Sequence, residues 1–270
     1  MNILETIIAH KKQEVARRKK QKPLASLVKN LGASDRNFKL AMRGGRTGAH
    51  PRLIAEIKKA SPSEGLLRQN LEKEIETIAR IYDRYANAIS VVTDEKFFQG
   101  KPEWIKKVKS VSRRPVLYKD FIVDEYQVYE ARVEGASAAL LIASILDGKK
   151  LQKFIRIART VQMDCLVEIH TKSELAAAIE AGAEIIGINN RNLETFKVSL
   201  ETTLALAPFI PKDSIVVSES GFYAKENINR VDQMADAVLI GTAFMKAKNI
   251  EKKLDLLGFS PQFPLHCPLL

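Results

Sequence analysis

Charged side chains interrupt an otherwise apolar segment, RLIAEIKKASPSEG at residues 52–65. Its first half is typical of a strand buried on both faces, yet it carries an acid, Glu56, and a base, Lys58. Because side chains alternate along a strand, both charges are expected on the face that also carries Ile54. An acid beside a base in a buried setting is suited to proton transfer. One face of this strand is therefore predicted to pack and the other to do chemistry.

Polar residues end several other apolar segments in the same way. Those at or just beyond the segment ends are Glu56, Lys58, Ser61, Lys119, Glu168, Asn189, Arg191, Glu219 and Ser220. A single charged residue at a strand end is usually a half-solvated structural feature, because such side chains are mostly exposed. Five segments that all end in this way instead indicate one shared site. Lysine and glutamate are its expected proton donors and acceptors.

Two pairs of a hydroxyl residue and a glycine follow the last two apolar segments. SESG contains Ser220 and Gly221, and LIGTAF contains Gly241 and Thr242. Glycine lets backbone N–H groups come close to oxygen atoms, and a short helix beginning near Thr242 would present unpaired donors to an anion. A tight turn alone would explain one such glycine. Two pairs in loops that commonly hold phosphate in barrel enzymes favour a phosphate site.

No metal-binding or nucleophile motif accompanies these residues. The histidines show neither an H-E-x-x-H pattern nor a His/Cys ligand spacing, and they are His10, His50, His170 and His266. SESG is not the G-x-S-x-G turn of a serine nucleophile. The residues therefore predict acid–base chemistry and indicate no metal site.

Eight short β-branched segments alternate with amphipathic ones and would position the polar residues. The predicted strands are 52–58, 88–92, 115–119, 138–142, 165–169, 185–189, 214–218 and 237–241. Helical patterns such as LEKEIETIARIYDRY and TKSELAAAIEAG lie between them, the second with a stop signal at Gly182. Continuous apolar strands joined by helices predict an α/β protein with a parallel sheet. Eight units, without a G-x-G-x-x-G turn after the first strand, favour a (β/α)8 TIM barrel over a doubly wound sheet.

The N-terminal residues precede this alternation and are strongly basic. We expect a single domain over residues 1–270, in which residues 1–50 form a helical extension of the barrel. Much of the net charge of +11 lies at Lys11, Lys12, Arg17, Arg18, Lys19 and Lys20. We interpret these bases as a solvated helix face. The positive charge suits an anionic substrate, a membrane surface or a nucleic acid, but no aromatic residues interleave with the bases to stack on a single strand.

Location and redox state follow from what the sequence lacks. The longest apolar run, residues 136–144, is far shorter than the roughly 20 residues of a membrane helix. The N-terminus lacks the charge order and cleavage site of a secretory signal, so a cytoplasmic protein is expected. Cys165 and Cys267 are far apart in sequence, which predicts neither a zinc site nor a disulfide framework.

Seven segments resemble the indole-3-glycerol phosphate synthase family of tryptophan biosynthesis. In chain order they are IAEIKKASPSEG, VVTDEKFFQG, YKDFIVDEYQV, LVEIH, IGINNRNLETF, VSESG and LIGTAFM. The resemblance extends over residues 3–256. It implies a (β/α)8 barrel with an extra N-terminal helical segment. It also implies a cofactor-free conversion of 1-(2-carboxyphenylamino)-1-deoxyribulose 5-phosphate to indole-3-glycerol phosphate, carbon dioxide and water.

The resemblance also implies roles for individual residues. Lys119 would be the general acid of ring closure and Glu168 the base or charge stabiliser of dehydration, while Lys58 is either a competing acid or an anchor for a substrate anion. Glu56 would orient Lys58, and Asn189 completes the catalytic set. The implied substrate-binding residues are Ser61, Phe98, Phe121, Arg191, Leu193 and Glu219, with the three apolar ones forming a cradle for the aromatic ring. The implied phosphate-binding residues are Ser220, Gly221, Gly241 and Thr242.

Several alternatives stay open at this point. Burial lowers the pKa of a lysine whereas nearby carboxylates raise it, and the sequence does not decide which effect wins at Lys119. Other barrel functions are a phosphoribosylanthranilate isomerase or a Schiff-base aldolase with Lys119 as the nucleophile. A basic nucleic-acid module built on the N-terminal helix is the alternative from another class. The expected partner is a phosphorylated small molecule rather than a nucleic acid or a membrane, and a monomer is expected without excluding an oligomer.

Overall fold

The computed structural model describes residues 3–32, 37–46, 50–193 and 195–262. Over these residues eight parallel strands close into a barrel, which confirms the predicted TIM-barrel class. In chain order the strands are β1 (Arg52–Ile57), β2 (Ala60–Ser61), β3 (Gly65–Leu66), β4 (Ala88–Val92), β5 (Val116–Lys119), β6 (Ala138–Ile142), β7 (Asp164–Ile169), β8 (Ile185–Asn189), β9 (Ile215–Glu219) and β10 (Ala237–Ile240). Strands β2 and β3 form a short antiparallel hairpin outside the barrel.

Helices precede the barrel and alternate with its strands. In chain order they are α1 (Ile3–Gln21), α2 (Leu24–Lys29), α3 (Phe38–Met42), α4 (Leu71–Tyr85), α5 (Trp104–Lys109), α6 (Glu125–Val133), α7 (Gly148–Thr160), α8 (Lys172–Glu180), α9 (Glu201–Leu206), α10 (Lys225–Asn229), α11 (Thr242–Met245) and α12 (Ile250–Leu256). The two helical patterns singled out in the sequence became α4 and α8. Thr171 caps α8 by accepting the N–H of Glu174 at 3.2 Å, and Gly182, with φ of 80°, lies just beyond its end.

Side-chain alternation along the strands produces two apolar layers. In β1, Leu53 and Ile57 belong to the layer between the barrel and its helices. Ile54 belongs to the inner layer, together with Leu117 and Leu166 from other strands. The expected separation of faces is therefore confirmed, and the inward face is the one that continues into Glu56.

The N-terminal helices pack against opposite ends of the barrel. Phe38 and Met42 of α3 are fully buried in the inner layer beside Ala88, the first residue of β4. Ile3 and Ile7 of α1 instead line a cavity formed by the last residues of the barrel strands. One helix therefore closes the amino end of the barrel, while another lies across its carboxyl end.

The interpretation of the basic N-terminal run as a solvated face is wrong for two of its members. Lys12, Arg17, Lys19 and Lys20 are exposed, as expected. Lys11 is 0% exposed and Arg18 is 9% exposed, each surrounded by carboxylates. A pattern of charges along one helix does not reveal these partners, because most of them lie on distant segments of the chain.

The remaining expectations concern features that the sequence lacks. Within the described residues, no helix is long and apolar enough to cross a membrane, and no three potential ligands are grouped for a metal ion. Cys165 is half-buried against the outer apolar layer. Cys267 and His266 lie outside the described residues.

Candidate active site

The polar strand ends surround a single large cavity at the carboxyl end of the barrel. All of the predicted site residues line it, namely Glu56, Lys58, Ser61, Phe98, Lys119, Phe121, Glu168, Asn189, Arg191, Leu193, Glu219, Ser220, Gly221, Gly241 and Thr242. The barrel explains this convergence, because parallel strands bring their carboxyl ends to one face.

Lys119, at the end of β5, reaches across the cavity to two carboxylates. Its Nζ lies 2.5 Å from Glu219 Oε2 and 3.5 Å from Glu168 Oε2. Burial alone would lower the pKa of Lys119, but the charges of Glu219 and Glu168 outweigh it and raise the pKa above its usual value. The question left open by the sequence is thereby answered, and Lys119 is held as an ammonium group.

Glu56 and Lys58 form a second ion pair in the same cavity. Glu56 Oε1 lies 2.7 Å from Lys58 Nζ. Burial alone would raise the pKa of Glu56, but the positive charges of Lys58 and Lys119 outweigh it and hold the pKa below its usual value. Glu56 therefore faces Lys58 in its charged form.

Glu219 is a buried carboxylate of the site whose pKa is raised. It is 1% exposed, and burial together with the like charge of Glu168 raises the pKa of Glu219 to about 7, although Lys119 opposes the shift. Three carboxylates, from Glu56, Glu168 and Glu219, share two lysines, so the cluster carries an excess negative charge that one proton would relieve. The sequence predicted a substrate-binding residue at Glu219 but not this ion pair.

Two glycines, Gly187 in β8 and Gly241 directly after β10, make room for buried carboxylates on the adjacent strands β9 and β1. A Cβ atom at Gly187 in β8 would overlap Glu219 Oε1, and one at Gly241 would overlap Glu56 Oε1. Gly241 was singled out in the sequence as a point of close approach for an anion. The structure adds a further reason for glycine there, because any side chain would displace Glu56. Nothing in the sequence around Gly187 revealed a comparable constraint.

Asn189 joins the carboxylates to the turn that follows β9. Its Nδ2 donates to Glu168 Oε1 at 3.2 Å, and its Oδ1 accepts from the hydroxyl of Ser220 at 2.9 Å and from the N–H of Arg191 at 3.0 Å. Ser220 and Gly221 both have positive φ, 69° and 95°. The backbone after β9 therefore turns in the left-handed region, which glycine adopts easily at position 221. Ser220 is held in this conformation by its hydrogen bond to Asn189.

Ion pairs join Arg191, which lines the cavity, to two other loops. Glu64, in the hairpin turn between β2 and β3, lies 3.3 Å from a guanidinium nitrogen of Arg191 and 2.7 Å from Nζ of Lys246. The Arg191 guanidinium also donates to the hydroxyl of Ser63 at 3.2 Å. Sequence reasoning identified Arg191 but missed Glu64 and Lys246, which lie on separate loops and end no strand.

Apolar side chains form one wall of the cavity. The rings of Phe98 and Phe121 lie 5.9 Å apart, centroid to centroid, at an angle of 44°. Ile3 and Ile7 from α1, together with Leu193, extend this wall. The structure thus brings Phe98, Phe121 and Leu193 to one cavity together with two apolar side chains of the N-terminal helix, and their role in binding an aromatic ring stays a prediction.

His170 stands beside the polar cluster although the sequence gave it no role. Its Nε2 lies 3.7 Å from Glu168 Oε1, and its Nδ1 lies 3.4 Å from Glu174 Oε2. Burial alone would lower the pKa of His170, but its contact with Glu174 and the charge of Glu168 raise the pKa above its usual value. The sequence did contain a signal for this contact, because His170 lies two residues after Glu168 and such residues share one face of an extended segment.

Comparisons with known proteins agree on one family. The family model for indole-3-glycerol phosphate synthase matches residues 4–257. A protein of that name from Thermoanaerobacter pseudethanolicus is 45% identical over 247 residues, which cover 90% of this chain and 92% of the relative. Another, from Legionella pneumophila (strain Paris), is 43% identical over 258 residues, which cover 95% and 98%.

Solved structures with lower identity share the fold. A mutant tryptophan synthase α-subunit from Pyrococcus furiosus superposes with a TM-score of 0.59 at 15% identity, covering 77% of this chain and 98% of that one. For 3-hexulose-6-phosphate synthase from Salmonella typhimurium the TM-score is 0.60 at 13% identity, with 76% and 96% covered. At these identities the likeness concerns the barrel alone.

Proposed function

The chain belongs to the indole-3-glycerol phosphate synthase family, and from that premise we propose how its cavity does the chemistry. The chain is a carboxy-lyase of tryptophan biosynthesis that acts on a phosphorylated small molecule. It converts 1-(2-carboxyphenylamino)-1-deoxyribulose 5-phosphate to indole-3-glycerol phosphate, carbon dioxide and water. The residues assigned below to each step are our proposal.

Lys119 acts as the general acid of ring closure. An aromatic carbon of the substrate attacks the ketone carbon, and the electron pair that moves onto the carbonyl oxygen takes a proton from Nζ. The supporting observation is the position of Lys119, whose ammonium group is held charged by Glu219 and Glu168 inside the cavity. A donor fixed in this way needs no reorganisation when negative charge develops on the oxygen.

Decarboxylation then restores the aromatic ring. The bond between the ring carbon and the carboxylate breaks, its electron pair returns to the ring system, and carbon dioxide leaves. Before this step Lys58 anchors the substrate carboxylate, because it is the second ammonium group of the cavity and has Glu56 as its partner. The wall around Phe98 and Phe121 favours the neutral product over the charged carboxylate.

Dehydration completes the indole. The hydroxyl group leaves as water after it takes a proton, which solvent supplies because the overall reaction consumes one, and Glu168 removes the proton whose loss forms the last double bond. Asn189 keeps Glu168 in position through its 3.2 Å hydrogen bond. Because Lys119 lies 3.5 Å from Glu168, the proton taken by the base can pass back to the acid for the next turnover.

The phosphate binds at the turn after β9 and the start of α11. Ser220, Gly221, Gly241 and Thr242 line the same end of the cavity, and the left-handed turn at Ser220 and Gly221 leaves little side-chain bulk there. Arg191 holds the polar end of the substrate from the neighbouring strand, with Ser61 and Glu219 completing the polar contacts. This arrangement uses backbone donors for the phosphate and side chains for the reacting atoms.

The finer organisation of the protein is part of the same proposal. The chain is one domain with residues 1–50 as its helical extension, supported by the packing of α1 and α3 on both ends of the barrel. A monomer suffices, because one chain supplies every proposed site residue, and the cytoplasmic location expected from the sequence stays part of the proposal. A nucleic-acid partner is not part of the proposal, and two of the six N-terminal bases, Lys11 and Arg18, are paired with carboxylates of this chain.

One observation carries this proposal, the contact of Lys119 with two carboxylates inside the cavity of a family member. Purified protein mixed with the carboxyphenylamino substrate should produce indole fluorescence and one carbon dioxide per product. Consumption of phosphoribosylanthranilate instead would favour the isomerase. Covalent trapping of substrate on Lys119 by borohydride would favour the aldolase.

A further inference from the structure

A lysine with no proposed part in the chemistry is buried under α1. Lys11 is 0% exposed, and its ammonium group contacts Glu14 Oε1 at 3.1 Å, Asp94 Oδ2 at 2.9 Å and Asp120 Oδ1 at 2.9 Å. Glu14 lies on α1 itself, whereas Asp94 follows β4 and Asp120 follows β5. One cation from the N-terminal helix therefore joins two neighbouring strand ends.

Asp94 organises the loop that carries part of the apolar wall. Its Oδ1 accepts the backbone N–H groups of Phe97 at 2.7 Å and Phe98 at 3.1 Å, which fixes the start of that loop. Its other oxygen faces Lys11. The position of the Phe98 ring over the cavity therefore depends on a carboxylate that Lys11 holds in place.

Asp120 performs the same task on the next strand, directly beside Lys119. Its Oδ1 accepts the N–H of Phe121 at 2.7 Å, and its Oδ2 accepts the hydroxyl groups of Thr93 at 2.9 Å and Tyr118 at 3.2 Å. The backbone before and after Asp120 carries Lys119 and Phe121. A shift of this carboxylate would move both the acid and the aromatic wall.

We propose that Lys11 is a positioning residue for ring closure, which sets Lys119 and the two phenylalanine rings through Asp94 and Asp120. This inference rests on the proposed function of the cavity. It links the docking of α1, whose Ile3 and Ile7 cover the cavity, to the geometry of the reacting groups. The helix then does more than cover the site, since it supplies the charge on which two strand ends depend.

The electrostatics explain why an uncharged replacement would not suffice. Without the ammonium group, Glu14, Asp94 and Asp120 would remain buried close together with no cation in direct contact with the two aspartates. Unpaired buried carboxylates are strongly unfavourable, so they would take up protons, admit water or move apart. Each response disturbs the loops, and a misplacement of about 1 Å can cost about 100-fold in rate.

Arg18 offers a matched control on the same helix. Its guanidinium contacts Glu14 at 2.7 Å, Glu95 at 2.8 Å and Glu130 at 2.9 Å, and among the described residues these ion pairs include neither Asp94 nor Asp120. Arg18→Met therefore removes buried ion pairs of α1 without removing the cation from the two aspartates. A loss specific to Lys11 separates positioning from the general attachment of the helix.

The experiment compares wild type, Lys11→Met, Lys11→Arg and Arg18→Met in the indole-forming assay, with urea unfolding measured in parallel. We expect Lys11→Met to lower kcat/KM at least about tenfold. The pH profile of kcat/KM should also shift, because the surroundings of Lys119 are altered. Lys11→Arg should recover part of the loss. Arg18→Met should lose stability but keep kcat within about threefold.

Should Lys11→Met fail to fold, Asp94→Asn replaces it in the test. The amide keeps one oxygen for the N–H groups of Phe97 and Phe98 but no longer attracts Lys11, so KM should rise more than kcat falls. The proposal is overturned if the folded Lys11 or Asp94 variant matches wild type, or if Arg18→Met lowers kcat as much as Lys11→Met. A wild-type protein that forms no indole product would instead refute the proposed function.

Discussion

Replacing Glu219 by glutamine should change how the stability of the protein depends on pH. The buried carboxyl has a pKa raised to about 7, whereas a glutamate in the unfolded chain titrates at about 4.3. Between these values the folded protein holds a proton that the unfolded chain has lost. The stabilisation from this proton is complete below about pH 4 and is lost as the pH rises through about 7.

The size of the effect follows from the same shift. Each pKa unit corresponds to about 1.4 kcal/mol. The free energy of unfolding of wild type should therefore fall by roughly 3–4 kcal/mol relative to that of Glu219→Gln between pH 4 and pH 8. The slope should be close to 1.4 kcal/mol per pH unit between about pH 5 and 7 and should flatten above that range. The amide does not titrate, so the variant lacks this contribution.

Urea unfolding at several pH values measures this difference directly. Trp104 is the single tryptophan, and it is 1% exposed, so its fluorescence reports loss of the buried environment. Glu76→Gln, at an exposed position, serves as the control and should leave the pH dependence unchanged. Parallel stability curves for wild type and Glu219→Gln from pH 5 to 8 would refute the reasoning about the excess negative charge.

Three further predictions concern binding and the cover of the cavity. Gly241→Val should raise KM and also lower kcat, because the valine side chain would overlap the carboxylate of Glu56. Thr242→Ser should change neither constant much, and equal effects of the two variants in steady-state kinetics would count against close backbone packing. Lys58→Met should raise KM more than it lowers kcat, and the opposite split would make Lys58 an acid. Removal of residues 1–45 should weaken substrate binding, since α1 supplies an apolar wall; a folded barrel that binds product as tightly as the full chain would contradict this.

The sequence predicted the barrel and the composition of its cavity well because both depend on local patterns. Alternation placed Glu56 inward, and the strand ends converged as parallel strands must. Each of the eight predicted barrel strands begins and ends within one residue of the observed strand. The periodicity and the apolar content of each segment determine these features, so they can be predicted before the tertiary contacts are known.

Features that depend on partners from distant segments were missed. Lys11 resembled the exposed bases around it until Asp94 and Asp120 were placed beside it. Gly187 resembled any small strand residue until the carboxyl group of Glu219 was found against it. Such constraints arise between side chains that only the closed barrel brings together, and no periodicity along one segment encodes them.

The division of labour between Lys119 and Glu168 is tested most directly by the pH dependence of turnover in their variants. General acid–base catalysis contributes about 10²–10⁴-fold, so Lys119→Met and Glu168→Gln should each lower kcat by at least that range while product affinity changes little. Glu168→Gln should lose the limb of the wild-type profile that requires an ionised base, whereas the limb due to Lys119 should lie at high pH, because the carboxylates around Lys119 raise its pKa above the usual value. Turnover at the wild-type rate in either variant would contradict the account and remove that residue from the mechanism.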